Sequence, residues 1–133
     1  MAVNGYAQYQ ENQLLTASPG KLLLAAYDGA IRFTRIGLEK MRAEKLDEQS
    51  LNINKAIAIV CELMSTLNED ANPSLVARLK SLYIYLIEKL GMANMNQNES
   101  DLVEALKILS HLRETWAEAD RSVQEMSMRE AAA

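Results

Sequence analysis

Cysteine occurs once, at Cys61, so the chain closes no internal disulfide and assembles no thiolate metal cluster. Histidine also occurs once, at His111. That excludes the usual di-iron bundle, which draws a Glu-x-x-His pair from each of two helices. Neither a Cys-x-x-Cys-His haem attachment nor a glycine-rich phosphate loop is present. Two prolines and five glycines leave little material for the many turns of an all-β fold. No segment approaches the ~20 apolar residues of a membrane span, and the first residues carry no basic cluster with a following apolar run of signal-peptide length. With a net charge of −4 and scattered Lys and Arg, the chain also lacks the basic stripe that phosphate neutralisation requires. These absences predict a soluble chain of the reducing cytoplasm, with no metal, cofactor, nucleic acid or membrane insertion.

What is present is aliphatic. Apolar residues make up 49% of the 133 and aromatics only 5%, so a core must be built from Leu, Ile, Val, Ala and Met. A chain of this size hides roughly two thirds of the surface its unfolded form exposes, enough to fold as one domain without disulfides. Ser18 and Pro19 read as an N-cap and first helical position. From there Leu23, Tyr27, Ala30, Thr34, Leu38 and Met41 recur at threes and fours, with Leu22, Ala26 and Phe33 widening the stripe. Gly29 and Gly37 fall inside this helix, each costing about 1 kcal/mol relative to Ala; close packing by a neighbour is one compensation and a kink the other.

After "RAEKLDEQS", a second stripe runs through Ile53, Ile57, Val60, Met64 and Leu67, with Ala56 and Leu63 beside it. "NEDAN" ends that helix and Asn72-Pro73 starts a third, with Leu75, Leu79, Leu82, Leu86, Leu90 and Ala93 flanked by Val76 and Tyr83. "NMNQNES" breaks the pattern before a fourth stripe of Leu102, Leu106, Leu109, Leu112, Trp116 and Val123. The expectation is an all-α, antiparallel up-down-up-down four-helix bundle over 18–125, with an irregular segment at 1–17 and a frayed tail at 126–133.

Chemistry is sparse. His111 in "SHLRETW" stands close to Arg113 and raises the alternative of histidine phosphotransfer on a bundle. Leu109, Leu112 and Trp116 crowd the same helix, however, where a phosphotransfer partner needs small residues. Acidic pairs such as Glu39 and Glu44, or Asp47 and Glu48, read as solvated helix ends and loops. Ile59, Ile84, Tyr85 and Ile87 exceed what one core stripe uses. Exposed together they form a binding patch; in a wide stripe they are only packing. Met41, Met64, Met92, Met95, Met126 and Met128 suit either core filling or an adaptable surface.

The opening stretch is unusual. Tyr6, Tyr9, Leu14 and Leu15 follow no helical period, and Asn and Gln fill the gaps. Read on from Tyr9 to Ile31, "YQENQLLTASPGKLLLAAYDGAI" resembles the signature of the flagellin-specific export chaperone family, FliS, and Thr16, Ser18, Pro19, Tyr27 and Asp28 belong to that block. "LKSLYIYLIEKLGMAN" is similar to the family's third helix, and "LKILSHLRETWAEA" to its last.

The resemblance implies a non-enzymatic cytoplasmic chaperone that binds the C-terminal region of flagellin, blocks premature polymerisation and helps delivery to the flagellar type III export gate. An anti-sigma factor or another flagellin regulator is a possible further partner in this family. On that reading Ile57, Val60, Met64, Tyr83 and Leu86 of the second and third helices line the client groove. Tyr6, Tyr9, Leu14 and Leu15 fold back over part of that groove as a lid until the client displaces them; the alternative is permanent packing beside the first helix. Tyr27 is expected partly buried where the opening segment meets the bundle, with Asp28 holding a nearby polar group.

Overall fold

The computed structural model describes residues 20–132, which form four helices: α1 (Gly20–Arg42), α2 (Leu46–Ser65), α3 (Pro73–Asn96) and α4 (Glu99–Ala132). Among the described residues there is no strand, and no helix is long and apolar enough to cross a membrane. Tyr6, Tyr9, Leu14, Leu15, Thr16, Ser18 and Pro19, for which a lid or signature role is expected, lie outside the described residues.

Each helix packs against the next, and α1 closes the ring on α4. Paired residues give the directions. Along α1 and α4, Asp28 meets Arg113 and Arg42 meets Glu99, so one number rises as the other falls. Gly29 faces Ile59 and Gly37 faces Ile53 across α1 and α2, again in opposite directions. Across α3 and α4, Lys89 meets Asp101 while Tyr85 meets Glu104.

The helix ends explain why the connections are short. Lys45 N–H donates to Lys40 O at 2.9 Å and Asn98 N–H to Ala93 O at 3.0 Å, with Glu44 and Gln97 at φ 57° and 55°. Both are left-handed C-terminal caps that satisfy otherwise orphaned carbonyls, built here without glycine. The polar runs "RAEKLDEQS" and "NMNQNES" are therefore largely helical, reversing within 43–45 and 97–98. Asn98 then caps α4, its Oδ1 accepting from Asp101 N–H at 3.3 Å and from Ser100 Oγ at 2.6 Å. At the other end Asn72 Oδ1 accepts from Leu75 N–H and Pro73 occupies the first turn, a start that removes no needed donor.

The core follows the expected stripe of α1 completely: Leu23, Tyr27, Ala30, Thr34, Leu38 and Met41 are buried. In α3 the stripe is rotated. Val76, Tyr83, Leu86, Leu90 and Ala93 are buried, whereas Leu75 is exposed and Leu79 and Leu82 are only half-buried. Gly29 and Gly37 are sites of close approach. A Cβ on Gly29 would stand 3.2 Å from Ile59 Cδ1, and one on Gly37 would stand 2.8 Å from Ile53 Cγ1. The fourth helix continues to Ala132, through most of the stretch expected as a frayed tail, and its last buried residue is Val123. A Cβ on Gly20 would meet the Asp120 carboxylate, so 121–132 run on past the start of α1 by roughly 18 Å at about 1.5 Å per residue.

Candidate client-binding face

Three of the seams are held by polar links or by interlocking side chains. At the centre, the Tyr27 hydroxyl of α1 is hydrogen-bonded to the Tyr83 hydroxyl of α3, and Trp116 Nε1–H of α4 donates to Tyr27 Oη at 3.1 Å. Tyr27 and Tyr83 are fully buried, so their hydroxyls need partners, and the chain supplies them. Burial pushes both phenols above the ordinary tyrosine value of 10.0. Tyr27 is thus buried outright rather than partly. One residue on, Asp28 accepts from Arg113 Nε–H at 3.0 Å and from Nη2–H at 3.5 Å. These contacts tie the three sequence blocks to one another: Tyr27 and Asp28 from the first, Tyr83 from the second, Arg113 and Trp116 from the third.

Between α3 and α4, Lys89 bridges Asp101 and Glu104 at 3.2 Å each and lies 5.5 Å from the Tyr85 ring centre. Tyr85 Oη–H donates to Glu104 at 2.6 Å, which with Lys89 holds that carboxyl below its usual range. The α1–α2 seam relies on the two glycine contacts, on Phe33 beneath the cations of Arg32 and Lys55, and on the Lys40–Glu48 pair.

The α2–α3 seam differs. Among the described residues, the side-chain hydrogen bonds directly between the two helices sit at one end, where Gln49 Nε2–H and Ser50 Oγ–H both donate to Asn94 Oδ1 at 2.8 and 3.1 Å; at the other end Lys80 of α3 pairs with Glu69 of the connection at 3.0 Å. Because Ser50 faces α3, residues at helical spacing from it (Ile57, Cys61 and Met64) face the same way. Ile57 and Met64 are half-buried and Cys61 is exposed. On α3, the stripe Ile84, Ile87, Glu88, Gly91 and Met95 lies beside the buried one. Of the nine large apolar side chains most exposed among the described residues, five are on α3 (Leu75, Ile84, Tyr85, Met92, Met95) and two on α2 (Leu46, Leu51). Only Leu22 and Met128 come from α1 and α4. Among the described residues, apolar exposure is thus richest on α3, with Tyr85 at the α4 seam and Ile84 and Met95 on the stripe nearer α2.

This geometry revises the groove. Val60, Tyr83 and Leu86 are 0–1% exposed and belong to the core, so in this conformation no client touches them. Ile57 and Met64 remain at its edge. Leu51, exposed on α2, was not singled out from the sequence. A separate apolar hollow of about 350 Å³ lies between α1 and α2, lined by Leu22, Ala26, Ile59 and Leu63 with Glu62 and Thr66.

His111 is exposed, and its carbonyl accepts from Thr115 Oγ1 at 2.9 Å. Its neighbour Arg113 is engaged by Asp28 and Glu114. Among the described residues no group of His, Cys, Asp and Glu is placed to hold a metal ion.

Comparison with known proteins places the chain as a whole. The family model described as "Flagellar protein FliS" matches residues 2–123. The flagellar secretion chaperone FliS of Bacillus subtilis is 32% identical over 119 residues, covering 90% of this chain and 88% of the relative. That of Campylobacter jejuni is 30% identical, covering 85% and 88%. That of Salmonella typhimurium is 29% identical, covering 86% of each. The family is one of chaperones rather than enzymes, and nothing supports phosphotransfer at His111. With its three sequence blocks joined in one buried network and nearly its whole length matched, this chain belongs to the FliS family of flagellar proteins.

Proposed function

We propose that the protein is a cytoplasmic export chaperone that holds the C-terminal region of unassembled flagellin on the outer faces of α2 and α3. It thereby prevents premature polymerisation and assists delivery to the flagellar type III export gate. The observation that carries the reading is the gathering of exposed apolar side chains on those two helices in a chain of this family. A disordered amphipathic segment binds such a face by folding into helix against it, the apolar area buried offsetting the ordering cost. Ile57 and Met64 contribute the inner edge, with Ile84, Ile87, Met92 and Met95 outside. Methionine suits the task, because its unbranched thioether adapts to irregular partners. An anti-sigma factor or another flagellin regulator is a second class of partner for the same protein.

The opening segment enters the proposal as a competitor. Tyr6, Tyr9, Leu14 and Leu15 shield part of the same apolar surface until the client displaces them. Deleting 1–17 should raise aggregation with helical content nearly unchanged in circular dichroism; a large loss of helix would make the segment part of the fold instead.

The direct test is calorimetric titration with a peptide of the last ~40 residues of the cognate flagellin. One-to-one binding with a large negative heat-capacity change is the expected result. No heat and no shift in thermal stability, at concentrations where a micromolar complex forms, would sink the flagellin assignment.

A further inference from the structure

The last three turns of α4 stand apart from the rest of the fold. α1 and α4 run antiparallel, and Gly20 at the start of α1 lies against Asp120. Residues 121–132 therefore form an arm beyond the first turn of α1. The other helices have also ended at this level. Pro73 lies twelve residues before Tyr85, so α3 begins opposite a residue about twelve past Glu104, near Trp116. Ser65 lies six residues past Ile59, which faces Gly29, so α2 ends opposite the first turn of α1.

A helix that leaves its bundle should be wet on every side. Val123 is instead only 3% exposed, and Met126 and Glu130 further along are half-buried. At helical spacing these three share one side of the arm, continuous with Asp120, the residue that meets Gly20. Val123 is not part of the main core, which extends along α4 no further than Trp116. The connection 66–72 does not supply the cover. Its two apolar residues are Leu67, packed against the main core, and Ala71, which is exposed.

What remains is the chain before Gly20. Because α1 and α4 are antiparallel, the chain traced backward from Gly20 leaves the bundle in the direction that the arm takes from Asp120. Residues 16–19 read Thr, Ala, Ser, Pro. In extended backbone Ala17 and Pro19 fall on one side, with Thr16 and Ser18 on the other. Four extended residues reach about 13 Å. That is enough to pass Val123, about 4.5 Å along the arm, and Met126, at about 9 Å.

We propose that residues 16–19 lie along the α4 arm, with Pro19 and Ala17 covering Val123 and Met126. The arm is the seat that fixes the entry of the opening segment, and the segment in turn holds the last turns of α4 in helix. This contact concerns the chain alone and stands whether or not the client is flagellin.

The test is amide hydrogen exchange, followed peptide by peptide in the full chain by mass spectrometry, since exchange reports local opening. In Ala17→Asp/Pro19→Ser, exchange across 121–132 is expected to speed at least tenfold. α2 and α3 should exchange as in the wild type, which also shows that the bundle is folded. Val123→Ser is expected to speed exchange across 16–18 by a similar factor, because two surfaces that cover one another loosen together. Ala71→Asp, on the connection, is expected to leave the arm unchanged. Arm exchange that ignores the double variant would overturn the proposal, and a rise with Ala71→Asp alone would give the cover of Val123 to the connection. Protection of the wild-type arm that is lost on dilution, with a matching loss of dimer in sedimentation, would give it to a second copy and equally overturn the proposal.

Discussion

The α1–α4 seam and the α2–α3 seam are built from the same kinds of helix but finished in opposite ways. Along the first, Arg42–Glu99 and Asp28–Arg113 bridge the outside while Trp116 reaches Tyr27 inside. Along the second, Gln49, Ser50 and Asn94 clamp one end and Lys80 pairs with Glu69 of the connection at the other, while Ile57, Met64, Ile84 and Met95 lie between with their side chains half-buried or exposed. The exposed bridges themselves add little stability, since surface ion pairs are worth about 0–1 kcal/mol. What they show is a face finished against water. The α2–α3 face carries fewer such bridges, which is why the proposed client site is put there.

The comparison can be broken most severely from within. Leu86 lies in the core directly beneath the proposed face, so Leu86→Ala should cost about 2–5 kcal/mol in denaturant unfolding. A cost near zero would mean that α3 is not anchored and that the finished and unfinished sides are not distinct. Tyr27→Phe probes the buried network that joins α1, α3 and α4. It strands the Trp116 N–H and alters the pairing of the Tyr83 hydroxyl, at about 1–3 kcal/mol, and Trp116 emission should shift.

Alkaline pH tests the same network. Tyr27 and Tyr83 hold their protons more tightly folded than unfolded, because burial disfavours the phenolate. Above the ordinary value of 10.0 the unfolded chain loses protons that the folded chain keeps. Stability is therefore full below that pH and falls as pH rises past it. In an ultraviolet titration these two phenols should ionise only together with unfolding; gradual ionisation with helices intact would contradict their burial. The smallest change in stability is expected on the client face itself. Ile84→Ser and Met95→Ser should alter unfolding by no more than about 0.5 kcal/mol while weakening the flagellin peptide measurably.

Much of this fold was legible because amphipathic periodicity reports burial directly, as the stripe from Leu23 to Met41 shows. It failed in α3, where leucines occupy adjoining stripes and periodicity cannot choose between them. Tyr83 turned inward because hydroxyl partners from α1 and a tryptophan-linked α4 await it, a non-local fact that no local pattern contains. For the same reason Val60, Tyr83 and Leu86, expected in a groove, lie in the core.

Cys61 offers the most direct measurement. It is the sole cysteine, exposed, and on the side of α2 that faces α3. Its rate of reaction with a chromogenic disulfide reagent should be high in the free protein and at least tenfold lower once the flagellin C-terminal peptide saturates it. An unchanged rate in a saturated complex would place the client elsewhere and contradict the assignment of the α2–α3 face.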